Sequence, residues 1–178
     1  MFAKNMAKSY AGLHCNGVEV RIKSRTITIR VFSYGVETVS GTKPTKFTIL
    51  HRCNDIPEIT LETETIDASA LEDLQSRYIA GRQDTGGEWS PVFNLTEDVI
   101  TELEDMMEAA ATGLESGLRT WFQVTVPNLT KSFFVVGQPG TKIPLPAMAQ
   151  NELLTGSISI AIDEYVGLDT KVEPTEGD

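Results

Sequence analysis

The chain has 178 residues, a formal net charge of −10, and 40% apolar against 22% charged residues. That suffices for one domain with a real hydrophobic core and excludes a disordered or fibrous chain. No apolar run approaches the roughly 18 residues that span a bilayer, and the opening MFAKNMAKSYAGLHC has no secretory apolar stretch, so a soluble protein made in a cytoplasm is expected.

Strand patterns dominate from the start. Val18, Val20 and Ile22 alternate with Glu19, Arg21 and Lys23, and Ile27, Ile29 and Val31 alternate with Thr26, Thr28 and Arg30. Two period-two runs on either side of Ser24-Arg25 predict a hairpin. Further strands are predicted over 46–53, 58–65, 88–95, 119–126, 131–137 and 156–164. Pro91 inside its run argues for an edge position or a bulge. Pro127-Asn128 between two apolar runs reads as a turn joining antiparallel neighbours. In the last run Ile158, Ile160 and Ile162 share one face.

One helix is predicted over 97–112. Glu97 and Asp98 suit the positive end of its dipole, Ile100, Leu103, Met107 and Ala110 recur at helical spacing, Thr96 is placed to cap it, and Gly113 to end it. Its other face carries Glu102, Glu104, Asp105 and Glu108 with no lysine partner inside the helix. Between strand candidates lies the long segment 66–87, whose middle, 70–80, is expected to be helical before Gly81 breaks it. A connection of that length in a compact domain is usually functional or disordered. It holds Arg77, Tyr78 and Arg82, residue types suited to interfaces. Residues 138–151, with three prolines, read as a second structured loop, and the polar end 169–178 as a flexible tail. The most economical architecture is mainly β, an antiparallel sandwich or barrel with one flanking helix.

Charge is unevenly spread. Residues 1–53 hold nine Lys or Arg against two acidic residues, and 54–178 hold six against 23. Such asymmetry fits a basic nucleic-acid arm, or head-to-tail docking of one copy's basic segment on the next copy's acidic surface. Cys15 and Cys53 fit a reducing compartment. With His14 and His51 they supply four soft ligands, but neither pair has the usual zinc spacing, and cysteine also serves as a small buried hydrophobe. The pieces 40–44 and 137–142 echo a phosphate loop without its spacing. Glu62, Glu64 and Asp67, and separately Asp163 and Glu164, are carboxylate groups expected by chance in so acidic a chain. There is no nucleophile elbow and no recognisable nucleic-acid module. Catalysis, a cofactor and a bound metal are therefore not expected.

Four pieces carry a resemblance: YGVETVSGTKPTKFT (34–48), ITLETETIDASALEDLQSRYIAGRQDTGG (59–87), VTVPNLTKSFFVVGQP (124–139) and IPLPAMAQNELLTGSISIAIDEY (143–165). Over about residues 33–178 the chain resembles the tail tube (major tail) proteins of siphophages. The strongest piece joins a strand, the I-D-A-S-A-L-E-D loop and a closing Asp-Thr-Gly-Gly; Pro144-Leu-Pro to Gln150-Asn151 is a second. The resemblance implies a tail-tube β-sandwich domain over 33–168, preceded by an N-terminal arm or hairpin over 1–32 and followed by the tail. It also implies six copies per ring, with inner sheets joined across subunits around a lumen, and rings stacked into the tube of a virion tail. Segment 66–87 would be the principal inter-ring loop, the arm and tail adding contacts. Arg77, Tyr78 and Arg82 would anchor that interface, with Asp67, Glu72 and Asp73 as partners. Tape-measure, tail-tip and tail-terminator proteins would be further partners, and double-stranded DNA would cross an acidic or neutral lumen without specific binding. A tail terminator, or the ring protein of a contractile bacteriocin or secretion tube, is the alternative; a DNA-binding module built on the basic N-terminal third is the rival from another class.

Overall fold

A computed structural model describes residues 20–22, 25–27, 31–69, 75–148 and 152–176. The first predicted hairpin is present as β1 (Val20–Ile22) and β2 (Arg25–Ile27), antiparallel with Val20 opposite Ile27. The next strands are β3 (Val31–Val36), β4 (Thr48–Leu50), β5 (Cys53–Asp55), β6 (Glu62–Asp67), β7 (Tyr78–Asp84), β8 (Glu88–Trp89) and β9 (Val92–Asn94). Helix α1 (Glu97–Glu115) follows, then β10 (Thr120–Thr125), β11 (Lys131–Pro139), β12 (Thr155–Ser157) and β13 (Ile160–Thr170).

The chain is mainly β with one helix, its curled antiparallel sheets forming a half-barrel. The main sheet runs β4-β3-β10-β11-β13-β8, and a smaller one runs β12-β9-β5. Pro127-Asn128 does join antiparallel neighbours: β10 and β11 pair with Trp121 opposite Val136, and Asn128 takes a left-handed φ of 67° in the turn. On one face of the main sheet Phe32, Leu50, Phe122, Val135 and Ile160 meet Trp89, Phe93 and Ile158, and Val99, Leu103, Met106 and Met107 of the helix. Phe32 stacks on Phe122 at 5.8 Å and meets Trp89 edge-on at 5.5 Å. Each fully buried side chain of this size contributes about 1.5–3 kcal/mol, so this layer is the main source of stability. The other face carries a smaller cluster of Phe47, Trp121, Phe134 and Val136.

Several boundaries differ from the sequence expectation. Strand β3 is unpredicted, because a strand central in its sheet and buried on both faces (VFSYGV) shows no clean alternation. A domain boundary after residue 32 therefore cuts through it. The run 46–53 breaks into β4 and β5 at His51-Arg52, where Arg52 has φ 55°. Glu102 pins that corner, accepting the His51 backbone N–H at 2.9 Å and meeting its ring Nδ1 at 2.7 Å. The run 88–95 breaks at Pro91 into β8, at an edge of the main sheet, and β9, central in the small one. The run 156–164 likewise splits, because the chain changes sheets at Ile158-Ser159, with both Ile158 and Ile160 kept in the shared core.

Thr96 caps α1 as expected, accepting the Val99 N–H. The helix passes Gly113, however, and ends in a Schellman motif: Gly117, at φ 71°, donates to Leu114 O, and Leu118 donates to Gly113 O. The expected helix over 70–80 is replaced at 78–80 by β7, and 70–74 lie outside the described residues. The expected tail is also structured: residues 169 and 170 complete β13, Val172 packs on the second core, and Thr175 bridges in parallel to Thr48. Alternating burial of a largely polar segment hid that packing.

Candidate assembly surface

Strands β6 and β7 form a two-stranded ribbon that pairs with no other described strand. Ile66 faces Ile79, Asp67 faces Tyr78 and Thr65 faces Ala80, with a bulge between Thr63 and Thr65. Alternation puts Ile66 and Ile79 on one face and Tyr78 on the other. All three are more than half exposed, at 53%, 58% and 64%. Every residue of β6 is exposed, and so is all of β7 but Gly81. A lone two-stranded hairpin is marginal in water. Beyond the Ile66–Ile79 pair itself, the apolar side chains on its two faces remain largely uncovered among the described residues.

The six residues singled out from the sequence are only partly brought together. Asp67 starts the turn: its Oδ1 accepts the Ser69 N–H and hydroxyl, and these bonds hold its carboxyl below the ordinary range. Ser69 in turn accepts the Arg77 N–H, and Arg77 O accepts the Ala68 N–H. Arg77 and Tyr78 therefore leave the turn beside Asp67. Arg82 lies further along β7, beside a shallow groove lined by Glu62, Glu64 and Asp84. Among the described residues neither arginine forms an ion pair. Glu72 and Asp73 lie outside the described residues. The sequence reading missed Ile66 and Ile79; the signal was present in T-E-T-I-D and Y-I-A, strand-like pieces on either side of an acidic segment.

A second feature lies at the end of the main sheet. β13 pairs with β11 along its whole length, but β8 covers only Ile160 and Ala161 on its other side. The Ile162 N–H reaches Gly87 O, and beyond it residues 163–170 pair with no strand on that side among those described. Ion pairs fix the side chains along this edge. Arg119 reaches Glu164 at 3.0 Å and Asp163 at 3.4 Å, and Lys43 meets Asp169 at 2.6 Å while lying 4.4 Å over the Phe134 ring.

Of the residues considered for metal or catalysis, the carboxylates Glu62, Glu64 and Asp67 lie on the ribbon and Asp163 and Glu164 on the edge of β13, whereas His51 and Cys53 are placed elsewhere. His51 is held by Glu102; Cys53 donates its thiol toward Asp55 O, and burial together with the Asp55 charge pushes that thiol up to about 12. His14 and Cys15 lie outside the described residues.

The chain matches no protein-family model, and no curated protein matches it. Among solved structures it is similar to a chain of the anti-feeding prophage (AFP) baseplate, a 6-fold symmetrised cryo-EM structure, at 8% identity and a TM-score of 0.44, with 80% of this chain and 93% of that chain covered.

Proposed function

We propose that this chain is a structural subunit of a long-tailed bacteriophage tail: it forms hexameric rings that stack into the tail tube, the conduit for DNA ejection. It catalyses nothing and uses no cofactor or metal. The observation that carries the reading is the ribbon β6–β7, with Ile66 and Ile79 on one face, Tyr78 on the other and all three more than half exposed among the described residues. Such a ribbon gains its stability by docking on another copy, as the inter-ring loop of a stacked tube would. The open side of β13 supports the ring, because edge pairing between neighbours satisfies a row of backbone groups and removes an aggregation hazard. The resemblance of residues 33–178 to siphophage tube proteins supports the same assignment. Tape-measure, tail-tip and tail-terminator proteins are the further partners of this reading, and the virion tail its location.

Negative-stain electron microscopy of the intact protein over a concentration series tests it. Hollow tubes with a regular axial repeat are expected, and the double variant Ile66→Ser/Ile79→Ser should abolish stacking. Because both side chains are more than half exposed and pack chiefly on each other across the ribbon, the variant's own stability should fall by no more than about 1 kcal/mol per site. Single rings that never stack would favour a terminator. Tubes unaltered in the double variant would remove the ribbon from the interface.

A further inference from the structure

The two ends of the main sheet are treated differently. On the β13 side, residues 163–170 pair with no strand among those described, whereas the opposite end, β4, is closed by the chain's own C-terminal segment. After β13 the chain crosses the second face of the sheet. Val172 packs on the Phe47, Trp121, Phe134 and Val136 cluster, its carbonyl accepts Gln123 Nε2 at 2.8 Å, and Thr175 arrives beside β4. There Thr175 N donates to Phe47 O at 2.7 Å, and Ile49 N donates to Thr175 O at 3.0 Å. β3 pairs with Phe32 opposite Leu50 and Tyr34 opposite Thr48. The outward backbone groups at Phe47 and Ile49 are thus the ones an added strand would use, and the segment takes both.

We propose that the outer edge of β4 is the docking edge for β13 of the next copy, and that residues 171–176 are a strap that keeps it shut until assembly. The inference rests on the ring-forming reading above and adds how that ring is regulated. A head-to-tail ring requires two different complementary edges on each copy, and β4 is the other end of the sheet from the open β13 side. That the outer edge of β4 can take backbone hydrogen bonds is seen in the isolated parallel bridge that Thr175 makes to Thr48. The strap is also lightly held. Its apolar anchor is Val172, and Lys171, Glu173, Thr175 and Glu176 are polar. The surface beneath is half polar: buried Ser33, Gln123, Thr125 and Ser132 bond largely to one another. Gln123 Oε1 is buried there with no partner. Lifting the strap therefore uncovers little hydrocarbon and lets water reach an acceptor that lacks a donor.

The substitution Thr175→Pro removes the donor to Phe47 O while leaving Val172 in place. Sedimentation velocity of the full-length variant should show assembly at a concentration about tenfold or more below that of the intact protein, as expected when a closed state occupied most of the time is removed. Hydrogen exchange supplies the second readout: the Ile49 amide should open in the unassembled variant and become protected again in its assemblies. A folded variant with an unchanged or higher assembly threshold would overturn the strap, while rings from the intact protein would leave the ring reading standing. Ile49 amides that stay open in the assemblies would overturn β4 as the docking edge. Neither protein associating at any concentration would overturn the ring reading and this inference together. The opposite sign is tested by Thr48→Cys/Thr175→Cys with Cys15 and Cys53 replaced by Ser. Its oxidised form should stay unassembled and its reduced form should assemble; equal assembly of the two would show that the strap need not open.

Discussion

Glu37 is a carboxylate that the fold encloses with donors. It sits at the end of β3, and its oxygens accept Trp121 Nε1–H at 2.8 Å, the Gly41 N–H at 3.0 Å, and the Arg119 N–H and Nε–H, each at 3.2 Å. Burial pushes its carboxyl up, but the bonds from Trp121, Gly41 and Arg119 outweigh it and leave the group below the ordinary value of 4.5, ionised at neutral pH. Arg119 then passes the constraint outward to Asp163 and Glu164 on β13. Glu37 thus couples three strands of the main sheet and sets the side chains along its open edge. Glu37→Gln keeps the shape but turns one acceptor into a donor facing donors, and should cost about 2–3 kcal/mol at pH 7. The sign with pH follows from the lowered value. The ionised group stabilises the fold fully above pH 4.5, and that contribution fades as pH falls through the lower folded-state value. Denaturant midpoints of the two proteins should therefore converge in acid. A gap that stays constant from neutral pH to well below 4.5 would mean that charge is not what Glu37 contributes.

At the scale of elements, helix α1 is docked by its closest approach to β3. A Cβ built on Gly113 would lie 2.6 Å from Val36 Cγ1, and a valine has little rotamer freedom with which to yield. Gly→Ala inside a helix ordinarily gains up to about 1 kcal/mol; here the overlap should reverse the sign and leave Gly113→Ala destabilised by about 1–2 kcal/mol. A thermal melt above that of the intact protein would show that the helix shifts freely on the sheet. The same residue marks the limit of what the sequence discloses. Thr96, the apolar stripe of α1, the β10–β11 turn and the hairpin β1–β2 were readable because capping, periodicity and turn chemistry are local. Gly113 was taken for a helix end because close packing on Val36 is a tertiary fact, and the true stop at Gly117 lies just beyond. Strand β3 was missed because burial on both faces erases alternation. The candidate surface was half readable: Tyr78 and Arg77 stood out by residue type, whereas Ile66 and Ile79 gained meaning only when the ribbon proved to be uncovered.

For the molecule as a whole, the charge arrangement bears on the proposed role as a conduit for DNA, as against a protein that grips it. Binding to a duplex rests on lysines and arginines free to replace condensed counterions, and log affinity falls with log salt at about 0.9 per phosphate neutralised. The described part of the chain is poorly equipped for that. Arg119 is engaged by Glu37, Asp163 and Glu164, Lys43 by Asp169 and Lys171 by Glu173. Of the remaining described cations, Arg77, Arg82, Lys131 and Lys142 stand in residues 54–178, which carry 23 acidic side chains against six basic ones, whereas Lys46 and Arg52 lie in the basic part before them. In the proposed ring each added subunit would bring ten further net negative charges, so the repulsion would grow with assembly while the local attraction of any one lysine would not. Duplex DNA titrated at about 50 mM salt, the condition most favourable to phosphate contacts, should therefore show no retention by the assembled protein. Retention that weakens steeply by about 200 mM salt would indicate several phosphate contacts. The basic residues before position 31 would then be its source, and their deletion should remove it. Absence of retention at both salts is what a lumen must provide if DNA is to leave through it without being held.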